Sequence, residues 1–311
     1  MTSSEELFAG AAAMKRVLLV GGTGFIGRRV AAALVAQGMV PRLFDLAAAL
    51  ERADLPDGYE VRAGDVTDLA SLAAAAEGCN GIVHLAGLMT VDCAKDPARA
   101  VQVNLLGSIN VFEVARAIAA PVAYLSTAGV FGPGSARQPQ PMTIYGVTKL
   151  AVEGVARVYA ADHGVPSLGL RPYIVYGAGI SSGIAAGPSI ALDAAVKRQP
   201  AVIGFSGRVG FVHVDDVARL LVAALDRPMA GATVLTMAGD TREMAEFVAE
   251  LGAQSGWDGV QISGPPLRIP ADLASDPVPD WLGDHPVTTI AEGIGQTLAE
   301  LGARGPGTPG L

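Results

Sequence analysis

The feature of this sequence that most limits its fold is a set of glycines at three-residue intervals directly behind an apolar segment. The segment RVLLV (16–20) has the composition of a buried strand and runs into Gly21, Gly24 and Gly27, after which apolar residues recur at helical spacing. In a strand–turn–helix unit the first glycine permits a tight turn, the second lets the backbone approach a pyrophosphate, and the third lets the helix lie close to the sheet. The pattern predicts a dinucleotide-binding loop, with a plain glycine turn as the alternative.

Two acids follow the next two predicted strands. Asp45 lies 24 residues after Gly21, where an acid can accept hydrogen bonds from both ribose hydroxyls and repel a 2′-phosphate. This favours NAD over NADP, although Arg28 and Arg42 keep NADP open. Asp65 could accept a hydrogen bond from adenine, or it could serve as an N-cap-type acid before a helix that begins at 67.

Short Val/Leu/Ile runs alternate with Ala-rich segments of helical spacing from residue 16 onward, which predicts an α/β fold with a doubly wound (Rossmann), mostly parallel sheet. The predicted strands are 16–20, 40–45, 59–64, 81–86, 122–127 and 167–172, and the predicted helices are 25–37, 67–77, 97–118 and 143–162. We expect residues 14–172 to form the dinucleotide-binding domain and 173–302 to form mainly a smaller substrate-binding lobe. A helix at 214–226 and a strand at 233–237 predict that 214–240 rejoins the main sheet, while 1–13 and 303–311 are expected to be flexible.

Composition and net charge limit the kinds of molecule that this protein is expected to bind. The net charge of −8 argues against nucleic acid, and no apolar segment approaches the ~18 residues that span a bilayer. Two cysteines, Cys79 and Cys93, are too few for a disulfide framework, and the histidines and cysteines show no metal-site spacing. These observations predict a soluble, cytoplasmic protein that binds a small-molecule substrate and neither nucleic acid, nor membrane, nor metal.

Tyr145 and Lys149 are four residues apart in a segment of helical character, so their side chains share one face. A neighbouring ammonium lowers the pKa of a phenol, which makes the tyrosine a usable base. Ser126 and Thr127 leave the fifth predicted strand and should lie at the carboxyl edge of the sheet, where ligands bind. The alternative is an amphipathic helix with an ordinary surface lysine.

A second motif points to different chemistry. Gly179-Ile-Ser181-Ser182-Gly183 matches the Gly-x-Ser-x-Gly elbow of serine hydrolases, with Asp215 and His285 in a workable order. Ala, Gly and Pro188 follow instead of an immediate helix, and a hydrolase would leave the glycine loop without a role. The hydrolase interpretation is therefore disfavoured.

Taken together, the motifs resemble those of the extended short-chain dehydrogenases/reductases of the NAD-dependent epimerase/dehydratase type over about residues 16–240. The blocks that carry the resemblance are GGTGFIG, GDVTD, HLAG, VNLLGSIN, LSTAGVFG, YGVTK, RPYIVYG and FVHVDDVA. The resemblance implies that Thr127, Tyr145 and Lys149 are catalytic and that Asn104 lies near them, as a water or helix-bend contact. The cofactor contacts that we expect besides the glycines, Asp45 and Asp65 are Phe25, Ile26, Val66, Leu85, Ala86, Gly87, Asn104, Tyr145 and Lys149.

The sequence departs from family members that act on nucleotide sugars. Ile174 replaces an asparagine, Val209 stands where an arginine binds the diphosphate, and the segment 177–188 has no Lys or Arg. We therefore predict an NAD-dependent oxidoreductase acting on a hydroxyl of a small sugar-like or hydroxy-acid substrate. The alternatives are a nucleotide-sugar epimerase or dehydratase and a catalytically silent NAD-binding scaffold protein. The candidate substrate contacts are Ser126, Thr127, Tyr173, Ser181, Ser182 and Arg208.

The helices at 97–118 and 143–162 predict a homodimer, since family members often pair through a four-helix bundle there. The outward apolar residues expected on them are Val101, Leu105, Phe112 and Val152.

Overall fold

The computed structural model describes residues 15–56, 59–180 and 183–303. The predicted flexible segment 1–13, all but residue 303 of the predicted tail, and the candidate contacts Ser181 and Ser182 lie outside the described residues.

A parallel sheet forms the centre of the fold. Its strands are β1 (Arg16–Val20), β2 (Val40–Asp45), β3 (Glu60–Ala63), β4 (Gly81–His84), β5 (Val122–Leu125), β6 (Ser167–Pro172) and β10 (Ala232–Met237). Within the described residues these seven strands have the order β10-β6-β5-β4-β1-β2-β3, and every pair is parallel. The direction of winding reverses between β1 and β4, which is where ligands bind in sheets of this type. The predicted doubly wound class is confirmed.

Helices cover both faces of the sheet. They are α1 (Phe25–Ala36), α2 (Ala47–Arg52), α3 (Leu69–Ala76), α4 (Thr90–Lys95), α5 (Pro97–Ala100), α6 (Gly107–Ala117), α7 (Ile144–His163), α8 (Gly187–Lys197), α9 (Val214–Asp226), α10 (Met244–Ser255) and α11 (Ile290–Ala303). The single helix predicted at 97–118 is interrupted by a π-helical turn, Val101–Leu106. The sequence reasoning did not predict α2, α4, α10 and α11.

The two faces of β1 enter different cores because side chains alternate along a strand. Val17 and Leu19 pack with residues of α1 and α9. Leu18 and Val20 pack on the other side with residues of α3, α6 and α7. All four side chains have no solvent exposure, as expected for a strand covered on both faces.

The remaining strands lie after β6. They are β7 (Ile174–Tyr176), β8 (Ala201–Ile203), β9 (Arg208–His213), β11 (Asp240–Glu243) and β12 (Val260–Ile262), and they form the small sheets β11-β9-β7 and β12-β8. Strand β10 instead pairs with β6 at the edge of the main sheet, and α9 packs against α1. The division at 172/173 into a domain and a lobe stays a prediction.

Two of the four predicted outward residues point inward. Phe112 is 0% exposed and Val152 is 2% exposed, and both belong to the core of α6 and α7. The Phe112 ring lies edge-on to Tyr124 at 6.0 Å between centroids. The prediction that Phe112 and Val152 lie on a dimer surface is therefore wrong, because the helix faces that carry them pack against the sheet.

Replacing this core ring tests the packing. Phe112→Ala should lower the free energy of unfolding by about 3–5 kcal/mol, because it removes a large buried side chain and leaves a cavity. Denaturant unfolding followed by circular dichroism measures this change. A loss below about 1 kcal/mol would mean that Phe112 is not packed in the core.

Candidate active site

The glycine loop begins where β1 ends, against the end of β4. Gly21 has φ +83°, and a Cβ there would lie 2.6 Å from the Ala86 backbone nitrogen. A Cβ on Gly27 would lie 2.6 Å from the carbonyl oxygens of both Gly21 and Gly22. These distances are too short for any side chain, so the turn and the close approach of α1 require glycine at both positions.

A cleft of about 360 Å³ opens beside this loop at the carboxyl edge of β1, β2 and β4. The predicted cofactor residues that line it are Gly21, Gly24, Asp45, Asp65, Val66, Leu85, Ala86 and Gly87. The lining residues that sequence reasoning missed are Val20, Thr23, Phe44, Leu46, Gly64, Leu88, Arg99 and Val103. Most of these are immediate neighbours of predicted residues, which is the signal that could have identified them. Phe25, Ile26, Gly27, Asn104, Tyr145 and Lys149 do not line this cleft.

Asp45 lines the cleft, and its carboxylate is held by backbone and side-chain donors. Its Oδ2 accepts hydrogen bonds from Thr23 N at 3.1 Å and from Thr23 Oγ1 at 2.6 Å, and its Oδ1 accepts one from Leu46 N at 2.9 Å. Arg42, by contrast, is buried on the far side of β2, where it donates to Glu60 at 2.7 Å and to the carbonyl oxygens of Ala75 and Glu77. Its guanidinium is thus engaged away from the place that a 2′-phosphate would occupy.

Asp65 also lines the cleft and is held by its own neighbours. Its Oδ1 accepts from Thr67 N at 2.9 Å and Thr67 Oγ1 at 2.8 Å, and Arg99 lies 3.1 Å from its Oδ2. Burial raises the pKa of Asp65, but these hydrogen bonds and the Arg99 charge bring it below its usual value. The helix that follows is capped by Asp68, which accepts from Ala70 N and Ser71 N. The alternative in which Asp65 caps a helix at 67 is therefore wrong.

Thr127 and Tyr145 meet where β5 ends and α7 begins. Thr127 caps a 3₁₀ turn by accepting from Gly129 N at 3.0 Å, and Thr143 caps α7 by accepting from Gly146 N at 3.0 Å. These caps place Tyr145 in the first turn of α7, where its hydroxyl lies close enough to the Thr127 side chain for Thr127 to lower its pKa.

Burial controls the protonation of Tyr145 and Lys149. It raises the pKa of Tyr145 to about 12, with a further increase from the nearby Cys93 and a decrease from the Thr127 side chain. It lowers the pKa of Lys149 to about 8. Lys149 is 5% exposed, donates to Leu125 O at 2.8 Å, and lies 5.8 Å from the centre of the Tyr145 ring. The sequence predicted a lowered phenol pKa, whereas in the structure the loss of hydration raises it.

Asn104 lies in the π-helical turn and reaches across to the loop after β4. Its Oδ1 accepts from Leu88 N at 2.7 Å, and its Nδ2 donates to Leu88 O at 3.0 Å and to Thr148 Oγ1 at 3.3 Å. The amide thus ties the loop that holds Gly87 and Leu88 to the helix that carries Lys149. A Cβ on Gly87 would lie 3.7 Å from Lys149 Nζ, which places this ammonium beside Gly87, one of the residues that line the cleft.

A buried carboxylate on α7, which the sequence reasoning missed, joins three elements beneath the Thr127–Tyr145 pair. Glu153 is 5% exposed and accepts from Ser126 Oγ at 2.5 Å and from Arg171 Nε at 2.7 Å and Nη2 at 2.5 Å. Ser126 precedes Thr127 on the chain, and Arg171 belongs to β6. The Glu153 carboxylate therefore connects α7 to the ends of β5 and β6. Its spacing of four residues from Lys149 was the available signal.

The remaining substrate candidates lie on separate elements. Ser126 is 2% exposed and its hydroxyl is directed to Glu153. Tyr173 is 7% exposed and donates to Ile269 O at 3.2 Å, while Arg208 is exposed at the start of β9. Their substrate contacts stay predictions.

The structure gives the hydrolase residues separate partners. Asp215 lies 3.7 Å from His213 Nδ1 and 3.8 Å from Arg29 Nε. His285 Nε2 lies 2.9 Å from Leu282 O. Ser181, the elbow position, is outside the described residues.

Neither a membrane-spanning helix nor a metal-binding cluster is found in the residues that the structure describes. In residues 15–56, 59–180 and 183–303, no helix combines the length and apolar character needed to cross a bilayer. The same ranges contain no cluster of three or more His, Cys, Asp or Glu side chains able to hold a metal ion.

The fold and the cleft define an α/β protein with a dinucleotide site at the switch point of a parallel sheet. A model of the NAD dependent epimerase/dehydratase family matches residues 17–237. A probable UDP-glucuronate 4-epimerase from Rhizobium meliloti (strain 1021) is 32% identical over 238 residues, which cover 67% of this chain and 67% of that protein. A ceramide reductase from Caulobacter vibrioides is 31% identical over 229 residues, covering 71% of this chain and 64% of that protein. The chain belongs to the NAD dependent epimerase/dehydratase family.

Solved structures agree with this assignment. The UDP-glucose 4-epimerase of Thermus thermophilus, crystallised with NAD, has a TM-score of 0.77 at 25% identity over 92% of this chain and 98% of that chain. A GalE-like L-threonine dehydrogenase from Cupriavidus necator shares the fold, with a TM-score of 0.78 at 22% identity over 92% of this chain and 99% of that one. These comparisons confirm three predictions: the family, the class of NAD-dependent epimerases and dehydrogenases, and NAD as the cofactor.

The buried carboxylate generates a prediction. Glu153→Gln keeps the shape and the Ser126 contact but leaves the Arg171 guanidinium without its charge partner, so stability should fall by about 1–3 kcal/mol. Turnover should fall by roughly tenfold, because small displacements at a reacting centre are costly. NADH affinity should be unchanged, since the cleft lies elsewhere.

Thermal unfolding, nicotinamide fluorescence and steady-state rates measure these three effects. Glu113→Gln is the matched control, because Glu113 pairs with Arg116 and Tyr159 on the outer part of α6. Equal turnover losses in both variants would show that Glu153 has no particular relation to the site.

Proposed function

We propose that this protein is an NAD-dependent oxidoreductase that oxidises a hydroxyl of a small sugar-like or hydroxy-acid substrate. The observation that carries the proposal is the arrangement at one sheet edge: Asp45, Asp65 and Gly87 line the cleft, Lys149 Nζ lies beside Gly87, and Tyr145, on the same helix as Lys149, has its hydroxyl close to Thr127. This arrangement fits a dinucleotide whose adenosine lies toward Asp45 and Asp65 and whose nicotinamide lies toward the tyrosine.

The cofactor residues fit NAD in their chemistry. The Asp45 carboxylate suits ribose hydroxyls, the glycine loop and the first turn of α1 suit a pyrophosphate, and the Lys149 ammonium suits the second ribose. When bound, NAD supplies the acceptor for the hydride.

Residues of this chain remove the proton of the substrate hydroxyl and bind its oxygen. Tyr145 takes the proton of the substrate hydroxyl, and Thr127 hydrogen-bonds the same substrate oxygen. Because burial, with a smaller contribution from Cys93, raises the pKa of Tyr145 to about 12, the phenolate needs a cation, and the Lys149 ammonium, 5.8 Å from the ring centre, is placed to supply it. The pKa of Lys149, about 8, keeps that ammonium charged at neutral pH.

The proposal of a small substrate, rather than a nucleotide sugar, rests on the lack of cationic residues at the sequence positions that would contact a diphosphate. Val209 is 1% exposed and Ile174 is 3% exposed, so both positions that depart from the nucleotide-sugar pattern are apolar core. The segment 177–188 has no Lys or Arg in its sequence. A diphosphate would require such groups.

A nucleotide-sugar epimerase or dehydratase is the second candidate, favoured by the similarity to a probable UDP-glucuronate 4-epimerase. Net NADH formation separates the two, because an epimerase returns the hydride to its substrate. A panel of sugar acids, polyols, hydroxy acids and nucleotide sugars with NAD, followed by the absorbance of NADH, distinguishes them.

Removing one hydroxyl tests the mechanism. Tyr145→Phe should lose at least ~100-fold in turnover while retaining NADH affinity, as expected for loss of a general base. Tyr159→Phe, on the same helix with its hydroxyl on Glu113, is the control and should keep turnover. Full activity of Tyr145→Phe would refute the mechanism, and binding of NADH without turnover of any panel member by wild type would favour the silent scaffold.

We propose that the protein acts as a homodimer in the cytoplasm. The support for a dimer is an apolar surface on the π-helical turn and α7, with Val101, Leu106, Val147 and Val158 each 40–52% exposed. Val147 and Val158 are eleven residues apart, about three helical turns, and so share one face of α7. The support for the cytoplasm is the pair of free, buried thiols of Cys79 and Cys93.

Adding a charge tests this surface. Val158→Glu should shift the protein from dimer to monomer, because a carboxylate would be buried at the interface. Val35→Glu is the control, since Val35 is 50% exposed, like Val158 at 52%, but lies on α1 across the sheet. Light scattering after size exclusion measures the mass. A wild-type monomer, or a dimer that survives Val158→Glu, would contradict the proposal.

A further inference from the structure

The residue that holds Asp45 is itself part of the glycine loop. Thr23 donates twice to the same carboxylate oxygen, through its amide at 3.1 Å and its hydroxyl at 2.6 Å. The Leu46 amide holds the other oxygen at 2.9 Å. Three donors therefore fix the carboxylate before any ligand arrives, and both Thr23 and Asp45 line the cleft.

The loop that supplies these donors is also fixed. Arg28, one turn into α1, donates from its Nε to Thr23 O at 2.9 Å. Gly24 N donates to Gly21 O at 3.3 Å within the same turn. Thr23 thus offers its amide and hydroxyl to Asp45 from a backbone that is held on its other side.

We propose that Thr23 is a positioning residue for dinucleotide choice: it holds the Asp45 carboxylate in the pose that accepts ribose hydroxyls and repels a 2′-phosphate. The inference rests on the proposed NAD site and adds to it a residue that acts through Asp45. A carboxylate free to rotate can turn its charge away from a phosphate, whereas one held by three donors cannot. Preference for NAD therefore depends on Thr23 as well as on the acid.

The charge pattern around β2 points the same way. Arg42, the cation of β2, is 7% exposed and bound to Glu60 and to two carbonyl oxygens on the far side of the strand. It cannot offset the Asp45 charge at the cleft without breaking those bonds. Of the two arginines that left NADP open, Arg42 is thus engaged away from the cleft, and Arg28 donates to the Thr23 carbonyl oxygen.

The chain contains a matched comparison at the adenine end. Thr67 donates its amide at 2.9 Å and its hydroxyl at 2.8 Å to one oxygen of Asp65, the same double contact that Thr23 makes with Asp45. Asp65 faces a part of the ligand that NAD and NADP share. Loss of the Thr67 hydroxyl should therefore weaken both dinucleotides alike, while loss of the Thr23 hydroxyl should change their ratio.

The experiment measures dissociation constants for NADH and NADPH by nicotinamide fluorescence with the full-length chain, freed of nucleotide, so no substrate is needed. Thr23→Val should reduce the preference for NADH over NADPH by about tenfold, near the lower end of the range expected for one hydrogen bond to a charged group. Thr23→Ser keeps the hydroxyl and should restore the preference. Thr67→Val should leave the ratio unchanged.

A double variant tests whether Thr23 acts through the acid. In the Asp45→Ala background, Thr23→Val should have no further effect on the ratio. An unchanged or increased NADH preference in Thr23→Val, an equal ratio change in Thr67→Val, or a full effect in the absence of Asp45 would each overturn the inference. If wild type binds neither dinucleotide, the proposed function itself fails, which separates the two conclusions.

Discussion

The structure depends on a backbone contact at the switch point of the sheet, where the turn after β1 lies against the end of β4. A Cβ at Gly21 would come within 2.6 Å of Ala86 N, and one at Gly27 would come within 2.6 Å of the turn itself. Because no side chain intervenes, α1 starts close to the strands and its N-terminus faces the cleft. The places of Asp45, Asp65 and Gly87 around that cleft follow from this approach, since each lies at or just beyond the end of a strand parallel to β1.

The positions of the residues proposed to carry the chemistry depend on a different set of contacts. Tyr145 and Lys149 are on α7, whereas Thr127 follows β5, so their relation depends on how the helix is joined to the sheet. The joints are polar: Lys149 binds Leu125 O, and Glu153 binds both Ser126 and Arg171. Polar contacts of this kind have angular requirements that apolar packing lacks, and they hold one register between helix and strand.

Much of the architecture could be predicted from the sequence. The bounds predicted for β1, β2 and β6 agree with the structure to the residue. In β1 the signal is an apolar run after Arg16, and in β2 and β6 it is a short segment containing Val, Leu or Phe that follows a helical segment. Other features required tertiary information. The π-helical turn at Val101–Leu106 is stabilised by the reach of Asn104 to Leu88, a contact across 16 positions of chain. The inward direction of Phe112 and Val152 depends on which face of each helix covers the sheet.

By itself the sequence determined the family, the parallel sheet and the residues able to carry the chemistry, because glycine spacing, apolar periodicity and the Tyr145–Lys149 interval are local properties. Only the tertiary structure decided the protonation of that pair, the partners of Asp45 and Arg42, and the presence of the Glu153 carboxylate beneath the site. A pKa follows from burial, and a hydrogen bond from the distance between distant segments. Both are set when separate elements pack together, so neither can be read along the chain.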